Sequence, residues 1–323
     1  MEFTNRIELR DLEEAVSRIK AEVGQIVIGQ QLTIEYILAA LLADGHILLE
    51  GVPGVAKTLM AKVMAKTVDV DFGRIQFTPD LMPSDVLGTS VYNSKSIEFE
   101  FKKGPVFSNI VLVDEVNRAP AKTQSALFEV MEERQITMDG TTYPMSEPFL
   151  IIATQNPVEH EGTYRLPEAQ LDRFLFKLTV GYPTPAEESE ILKGHNERRR
   201  LQDAVDKISP AISSSRLAAL RETVQQVHVE EKLLEYIVNI VGTTRSHPAL
   251  FLGASPRASV ALLNGCKALA ALRGRDFITP DDVQELAYPV LRHRIILTPE
   301  REMEGSTPDD LIRLILEKTE VPR

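Results

Sequence analysis

The 323-residue chain has one cysteine, no tryptophan and no long apolar run. A single thiol, Cys266, excludes an internal disulfide, and its setting in Leu262-Leu263-Asn264-Gly265 reads as a packing position on a helix. No window approaches the ~18 consecutive apolar residues of a membrane span. Met1 to Arg10 is charged and has no apolar signal core, which predicts no secretory leader and a cytoplasmic protein. Positive charge is in deficit. With 36 Lys and Arg against 47 Asp and Glu the net is −11, which argues against a general nucleic-acid surface. The cluster Arg198-Arg199-Arg200 is a local exception and reads as a solvated helix end. Six histidines lie scattered without metal-ligand spacing, so no structural zinc is expected. Core-forming material is ample: 43% of the residues are hydrophobic, enough for a core in each of about two domains.

The most informative stretch is Gly51-Val52-Pro53-Gly54-Val55-Ala56-Lys57-Thr58. It follows the apolar run His46-Ile47-Leu48-Leu49 and precedes a helical pattern from Leu59 to Lys66. Strand, glycine-containing loop ending in Lys-Thr, then helix is the context of a phosphate-binding loop. Glycines let backbone N–H groups wrap a polyphosphate, and the helix N-terminus adds its positive dipole end. Gly51, Pro53, Gly54, Val55, Ala56, Lys57, Thr58 and Leu59 are therefore candidate nucleotide contacts, with Lys57 on the β- and γ-phosphates and the Thr58 hydroxyl on Mg²⁺. Ala56 stands where a second glycine is usual, and alanine is expected there without a positive φ. The competing reading is a chance glycine-rich turn.

Asn109-Ile110-Val111-Leu112-Val113-Asp114-Glu115 is apolar until its last two residues, the pattern of a strand buried on both faces of a parallel sheet. Such sheets bind ligands beyond the carboxyl ends of their strands. Asp114 is placed to support Mg²⁺ through water, and Glu115 to polarise an attacking water. Phe149 to Pro157 repeats the pattern with a polar tip, where Asn156 is a candidate to hold the water or sense the γ-phosphate. An ordinary Asn-Pro turn is the alternative for Asn156.

Ile7, Leu12, Ala15, Val16, Ile19 and Val23 recur at helical spacing, and a second helix follows from Val27-Ile28-Gly29-Gln30 to Leu42. Strands are predicted near 47–50, 74–78, 110–114, 149–154 and 175–180. The alternating Ile97-Glu98-Phe99-Glu100-Phe101 predicts a half-exposed strand paired with Thr89 to Tyr92. Asp139-Gly140 marks a second hairpin between Gln135–Met138 and Thr141–Tyr143. After Pro183 the strand signal fades. Thr184-Pro185, Thr279-Pro280 and Thr307-Pro308 each precede acids, which predicts three capped helix starts. The expected organisation is an α/β core over residues 1–182 and a helical lid over 183–323, with borders near Tyr182-Pro183 and Thr298-Pro299. Ser255-Pro256 reads as a further helix start. It would put Arg257 in the first turn, where a cation opposes the helix dipole and so hints at an anionic partner.

The stretches GVPGVAKT (51–58), VDEVNRAPAKTQSALFEVMEERQ (113–135), ATQNP (153–157), RLPEAQLDRF (165–174) and GASPRA (253–258) together resemble the MoxR family of AAA+ ATPases. The resemblance implies a P-loop AAA+ core, a parallel sheet flanked by helices with β-hairpin insertions, followed by an all-α lid. It implies Mg²⁺-dependent ATP hydrolysis and places Ile28 and Gly29 against the adenine. It makes Arg257 the lid arginine that senses the phosphates, and Arg173 a finger reaching a neighbour's site, with Arg165 and Arg118 as competitors for that role. A finger in trans implies a ring, expected to be a hexamer. Hairpins facing the central pore would serve a chaperone-like motor that remodels or matures client proteins with a von Willebrand factor A domain partner. A nucleic-acid motor or a non-hydrolysing nucleotide switch are the alternatives. The −11 charge counts against the first and Glu115 against the second.

Overall fold

The computed structural model describes residues 7–95, 97–157, 163–197 and 201–322. The arginine triplet 198–200, turn residue Ser96 and the first six residues lie outside the described residues. Two helices open the chain, the amphipathic α1 (Arg10–Gly24) and the largely buried α2 (Gln31–Leu42). Strand β1 (His46–Gly51) then leads through the glycine-containing loop into α3 (Lys57–Thr67). Next come β2 (Phe72–Gln76), α4 (Pro83–Leu87), a hairpin of β3 (Gly88–Asn93) and β4 (Glu98–Lys103), then β5 (Ile110–Asp114) and α5 (Ala121–Glu133). A second hairpin, β6 (Gln135–Met138) and β7 (Thr141–Pro144), precedes β8 (Leu150–Gln155), the single turn α6 (Glu168–Leu171) and β9 (Phe174–Val180).

Five of these strands form one parallel sheet in the order β2-β5-β8-β1-β9. Every residue of β5 is buried, and so are the first five of β8, because helices cover both faces. Register fixes which ends meet. Ile47 pairs with Ile152 and Val113 with Ala153, so Gly51, Asp114 and Gln155 finish at one edge of the sheet. Consecutive strands β1 and β2 are separated by β8 and β5, so the chain reverses direction across the sheet beside β1. A crevice at the carboxyl ends follows from that reversal.

The hairpins lie outside this sheet. Asp139 (φ 50°) and Gly140 (φ 77°) form the tight turn of β6–β7, as the Asp-Gly signal requires. Strand β4 differs from expectation. Ile97 takes φ 58° in the turn, so the strand starts at Glu98, and both of its faces are largely exposed apart from Phe101. The alternation there reflects a free-standing ribbon and not one buried face. The two hairpins are tied together by the Ser90 hydroxyl on the Asp139 carboxylate and by Phe101 against Tyr143, ring centroids 4.7 Å apart.

Beyond β9 the chain is mainly helical: α7 (Pro185–Glu197), α8 (Leu201–Asp206), α9 (Ser214–Gln225), α10 (Glu231–Ser246), α11 (Pro256–Leu272), α12 (Pro280–Leu291), α13 (Pro299–Met303) and α14 (Pro308–Lys318). A short pair, β10 (Leu250–Leu252) and β11 (Ile296–Leu297), is interposed. The three Thr-Pro signals each begin a helix, and in each the threonine hydroxyl accepts from the third helical N–H while that residue's acid returns to the threonine N–H. Ser255 occupies the cap position of α11 but makes no cap bond; its hydroxyl donates to Asp172 at 2.9 Å. Thr298-Pro299 is not a border, because α14 continues to pack on α10 and α12. Cys266 is buried among the helices. One apolar cluster runs from α1 and α2 through α3 into α10, α11 and α12, so the helical region is seated on one face of the sheet.

At the amino edge of the sheet His46 is buried at the start of β1. Its Nδ1 accepts from the Ile151 N–H (3.0 Å), so Nε2 carries the proton and donates to Met131 O (3.2 Å). Burial, reinforced by the Arg134 charge, pulls its pKa down to about 3. The unfolded chain therefore takes up a proton near pH 6.5 that the folded chain refuses, and this contribution to stability is fully present above pH 6.5 and lost as pH falls toward 3. The stability gap between wild type and His46→Gln should narrow by about 1 kcal/mol between pH 7 and pH 5.5 in urea unfolding. Parallel pH curves would show that His46 is not the proton acceptor.

Candidate active site

The carboxyl edge of the sheet frames a cavity of about 570 Å³, within the range of small-molecule sites. Of the residues singled out in the sequence, Ile28, Pro53, Gly54, Ala56, Lys57, Thr58, Leu59, Asp114, Glu115 and Asn156 line it. Gly51, Val55 and Gly29 do not. Gly51 ends β1 and its carbonyl accepts from Lys57 Nζ at 2.7 Å, so the lysine lies folded across the mouth of the loop. Val55 is buried in the core and anchors the loop from below. Gly29 takes φ +77°, and a Cβ there would meet the Glu187 carboxyl at 2.8 Å. It therefore seats the start of α7 against the segment before α2 instead of meeting the cavity.

The loop backbone departs from expectation at one residue. Gly54 has φ +90°, which only glycine adopts freely, but Ala56 also sits in the left-handed region, at φ 61°. A side chain there costs roughly 1–2 kcal/mol. The strain holds the residue before Lys57 outside helical geometry, so that α3 begins at the lysine and directs its first N–H groups at the cavity.

Beyond the loop, the acidic pair is held by neighbouring strands. Asp114 is 8% exposed. Its Oδ2 accepts from Arg74 Nε at 2.7 Å and its Oδ1 from the Thr154 hydroxyl at 3.3 Å. The same hydroxyl accepts from the Glu115 N–H at 3.0 Å, so Thr154 bridges the tips of β5 and β8. Glu115 takes φ 57°, which turns the chain out of the strand. Its carboxylate is held by Gln76 Nε2 at 2.9 Å and by Arg118 Nε at 3.1 Å. Arg118 thus serves its own chain's glutamate. The oxygen donors available, the Asp114 carboxylate and the Thr58 hydroxyl, are the hard ligands that Mg²⁺ prefers, and they face one cavity with Lys57. The residues present therefore fit a magnesium nucleotide.

Sequence reasoning did not find Arg74, Gln76 and Thr154, nor the cavity's other wall of Ile26, Val27, Ile191, Gly194 and His195. Thr154 was visible as the polar residue two before Asn156. Arg74 and Gln76 occupy alternate positions on one face of β2, and their partners become apparent only once β2 is known to pair with β5. The wall from α7 follows from tertiary packing and has no local signal.

Arg173 and Arg257 are elsewhere. The pairings His46↔Phe174 and Gly51↔Val180 put Arg173 at the amino edge of the sheet, about 17 Å from the loop at five residues of strand rise. Its Nη1 lies 2.8 Å from Glu132 Oε2 at the end of α5, and Arg257 bonds the same oxygen. The hydrogen bond from Arg257, with the charges of both arginines, holds the Glu132 carboxyl below its usual range. The two arginines therefore form one group, and Arg257 does not reach its own chain's phosphate loop. Next to them Asp172 accepts from Ser255 and from Arg294 Nε (2.7 Å), whose guanidinium burial pulls down to about 10. Arg165 is largely exposed, with Glu168 at 3.6 Å.

Comparison with known proteins agrees with this geometry. Residues 46–176 match the ATPase family associated with various cellular activities (AAA), and 242–315 match the AAA lid domain. Chaperone MoxR1 of Mycobacterium tuberculosis is 44% identical over 98% of this chain and 84% of its own length. Uncharacterized protein YeaC of Bacillus subtilis is 47% identical over 97% of this chain and 96% of its own length. Protein MoxR of Methylorubrum extorquens is 28% identical, covering 97% of both chains. The crystal structure of an ATPase candidate from Cytophaga hutchinsonii superposes with a TM-score of 0.88 at 44% identity, covering 98% of this chain and all of the other. With full-length relatives at this identity and a family model over the strands that frame the cavity, the chain belongs to the MoxR family of AAA+ ATPases.

Proposed function

We propose that the chain hydrolyses ATP with Mg²⁺ in a ring, expected to be a hexamer in the cytoplasm, and uses the turnover to remodel or mature client proteins with a von Willebrand factor A domain partner. In this reading residues 1–182 bind nucleotide and 183–323 act as the lid. The observation that carries the reading is the convergence of Lys57, Thr58, Asp114, Glu115 and Asn156 on one cavity.

The roles follow from the chemistry of each group. Backbone N–H groups of the loop and the start of α3 cradle the polyphosphate, and Lys57 exchanges the Gly51 carbonyl for phosphate oxygens. Thr58 and Asp114 would hold Mg²⁺, which when bound neutralises charge on the β- and γ-phosphates. Glu115 orients a water and draws its proton, and Asn156 fixes the water or the γ-phosphate from the next strand. Ile28 supplies an apolar contact for the base. Arg173 and Arg257, grouped at the opposite edge of the sheet, serve a neighbouring subunit's phosphates. Such an arrangement stabilises transition-state charge only in the assembly. The β3–β4 hairpin, with Tyr92, Ile97 and Phe99 exposed, offers apolar contacts for a client.

Lys57→Ala should abolish or severely weaken ATP binding, measured by fluorescent-nucleotide titration. Unchanged affinity would remove the phosphate-loop assignment. Glu115→Gln should bind ATP, lose turnover and favour the assembled ring, and a normal hydrolysis rate in that variant would take the water-activating role from Glu115. The ring reading is tested by mixing. Arg173→Ala and Lys57→Ala subunits should each be nearly inactive alone, yet regain part of the activity when mixed, because some interfaces then join an intact loop to an intact finger. With subunit exchange verified by labelling and single-site turnover verified by diluting wild type with a doubly dead subunit, absence of rescue would show that Arg173 does not act in trans.

A further inference from the structure

The edge strand β2 lays Arg74 against the carboxylate assigned to the metal. Both oxygens of Asp114 are engaged, Oδ2 by Arg74 Nε at 2.7 Å and Oδ1 by the Thr154 hydroxyl at 3.3 Å. A carboxylate only 8% exposed is costly to bury without a positive partner. Arg74 fills that need here, yet its own side chain is 53% exposed and lines the same cavity as Lys57 and Thr58. It can therefore swing away without disturbing the core. A divalent cation supported by Asp114, directly or through water, would compete with Arg74 for this carboxylate.

We propose that Arg74 is a stand-in cation: it neutralises Asp114 until a magnesium nucleotide arrives, then yields the carboxylate and turns its guanidinium to the polyphosphate in the same cavity. This rests on reading the cavity as a magnesium-nucleotide site. The exchange keeps Asp114 paired in both states, so the site never carries a buried, uncompensated charge. It also converts an arginine held by the sheet into a phosphate ligand only when phosphate is present, because charge-assisted hydrogen bonds to phosphate oxygens then replace the one to Asp114.

The exchange predicts effects of opposite sign on metal and nucleotide. In Arg74→Gln, Mn²⁺ has one competitor fewer for Asp114. Its affinity for the ADP-loaded protein, read by electron paramagnetic resonance of free Mn²⁺, should rise roughly 1.5- to 5-fold, the range supported by an ion pair with a half-exposed partner. ATP affinity in EDTA, read by displacement of a fluorescent nucleotide, should fall, because a cation facing the phosphates is lost. Arg74→Lys keeps the charge and should track wild type in both assays. If Mn²⁺ and ATP affinities fall together in Arg74→Gln, Arg74 merely orients Asp114 and the exchange is overturned. Wild-type values in both assays would likewise overturn it, as the contact would be idle. Wild-type protein that takes up no nucleotide-dependent Mn²⁺ would overturn the site reading itself, which separates the two failures.

Discussion

The register of the parallel sheet is the constraint on which the site depends. Two strand pairings, β1 with β8 and β5 with β8, align the ends of β1, β5 and β8, so the loop after Gly51, the Asp114-Glu115 pair and Asn156 open into one cavity. Side chains alternate along a strand, and a shift of one residue would turn them to opposite faces. The register is held by strands that are apolar along nearly their whole length and buried on both faces. Thr154 adds a polar tie at the edge itself, joining Asp114 to the backbone of Glu115.

The same register separates two charge systems. At the carboxyl edge two carboxylates face two long side chains of β2, Arg74 on Asp114 and Gln76 on Glu115. At the amino edge the signs reverse: Arg173 and Arg257 converge on the single carboxylate of Glu132. Asp172, fixed by buried Arg294 and by Ser255, joins the start of β9 to the start of α11 and so keeps the two arginines side by side. The acidic pair proposed to hold the metal on one edge and the cationic pair on the other would be complementary between subunits. Repeated head to tail, such faces would give the proposed ring where the rotation between subunits closes.

Much of this was legible in the sequence because it is written locally. The Lys57-Thr58 loop announces itself by glycine spacing between strand and helix, and β5 and β8 by unbroken apolar runs that end in polar groups. The Thr-Pro-acid starts at 184, 279 and 307 follow from capping chemistry within four residues. What was not legible depends on contacts between distant segments. Gly29 looks like a ligand contact until Glu187 is seen packed against it, 2.8 Å from where a Cβ would lie. Ser255 looks like a cap, but Asp172 takes its hydroxyl. The dipole argument singled out Arg257 correctly as a cation with an anionic partner, yet Glu132 is that partner within the chain. Ala56 shows the limit of reasoning from residue size, since loop geometry imposes a left-handed backbone that alanine does not favour. The exposed faces of β4 show the same for periodicity, because alternation marks a strand without revealing whether anything covers it.

The central claim is that the arginine edge of one subunit completes the nucleotide edge of the next. A nitroxide at Arg173→Cys tests it directly, since Cys266 is buried and leaves the new thiol as the reactive one. Labelled subunits mixed with wild type and loaded with Mn²⁺ and ADP would be read for the distance from nitroxide to metal. Within one chain that distance is set by the length of β1 and β9, about 17 Å or more. The account predicts an additional, clearly shorter distance that appears only on assembly and is lost on dilution to monomers. Assembled protein showing the long distance alone would contradict it.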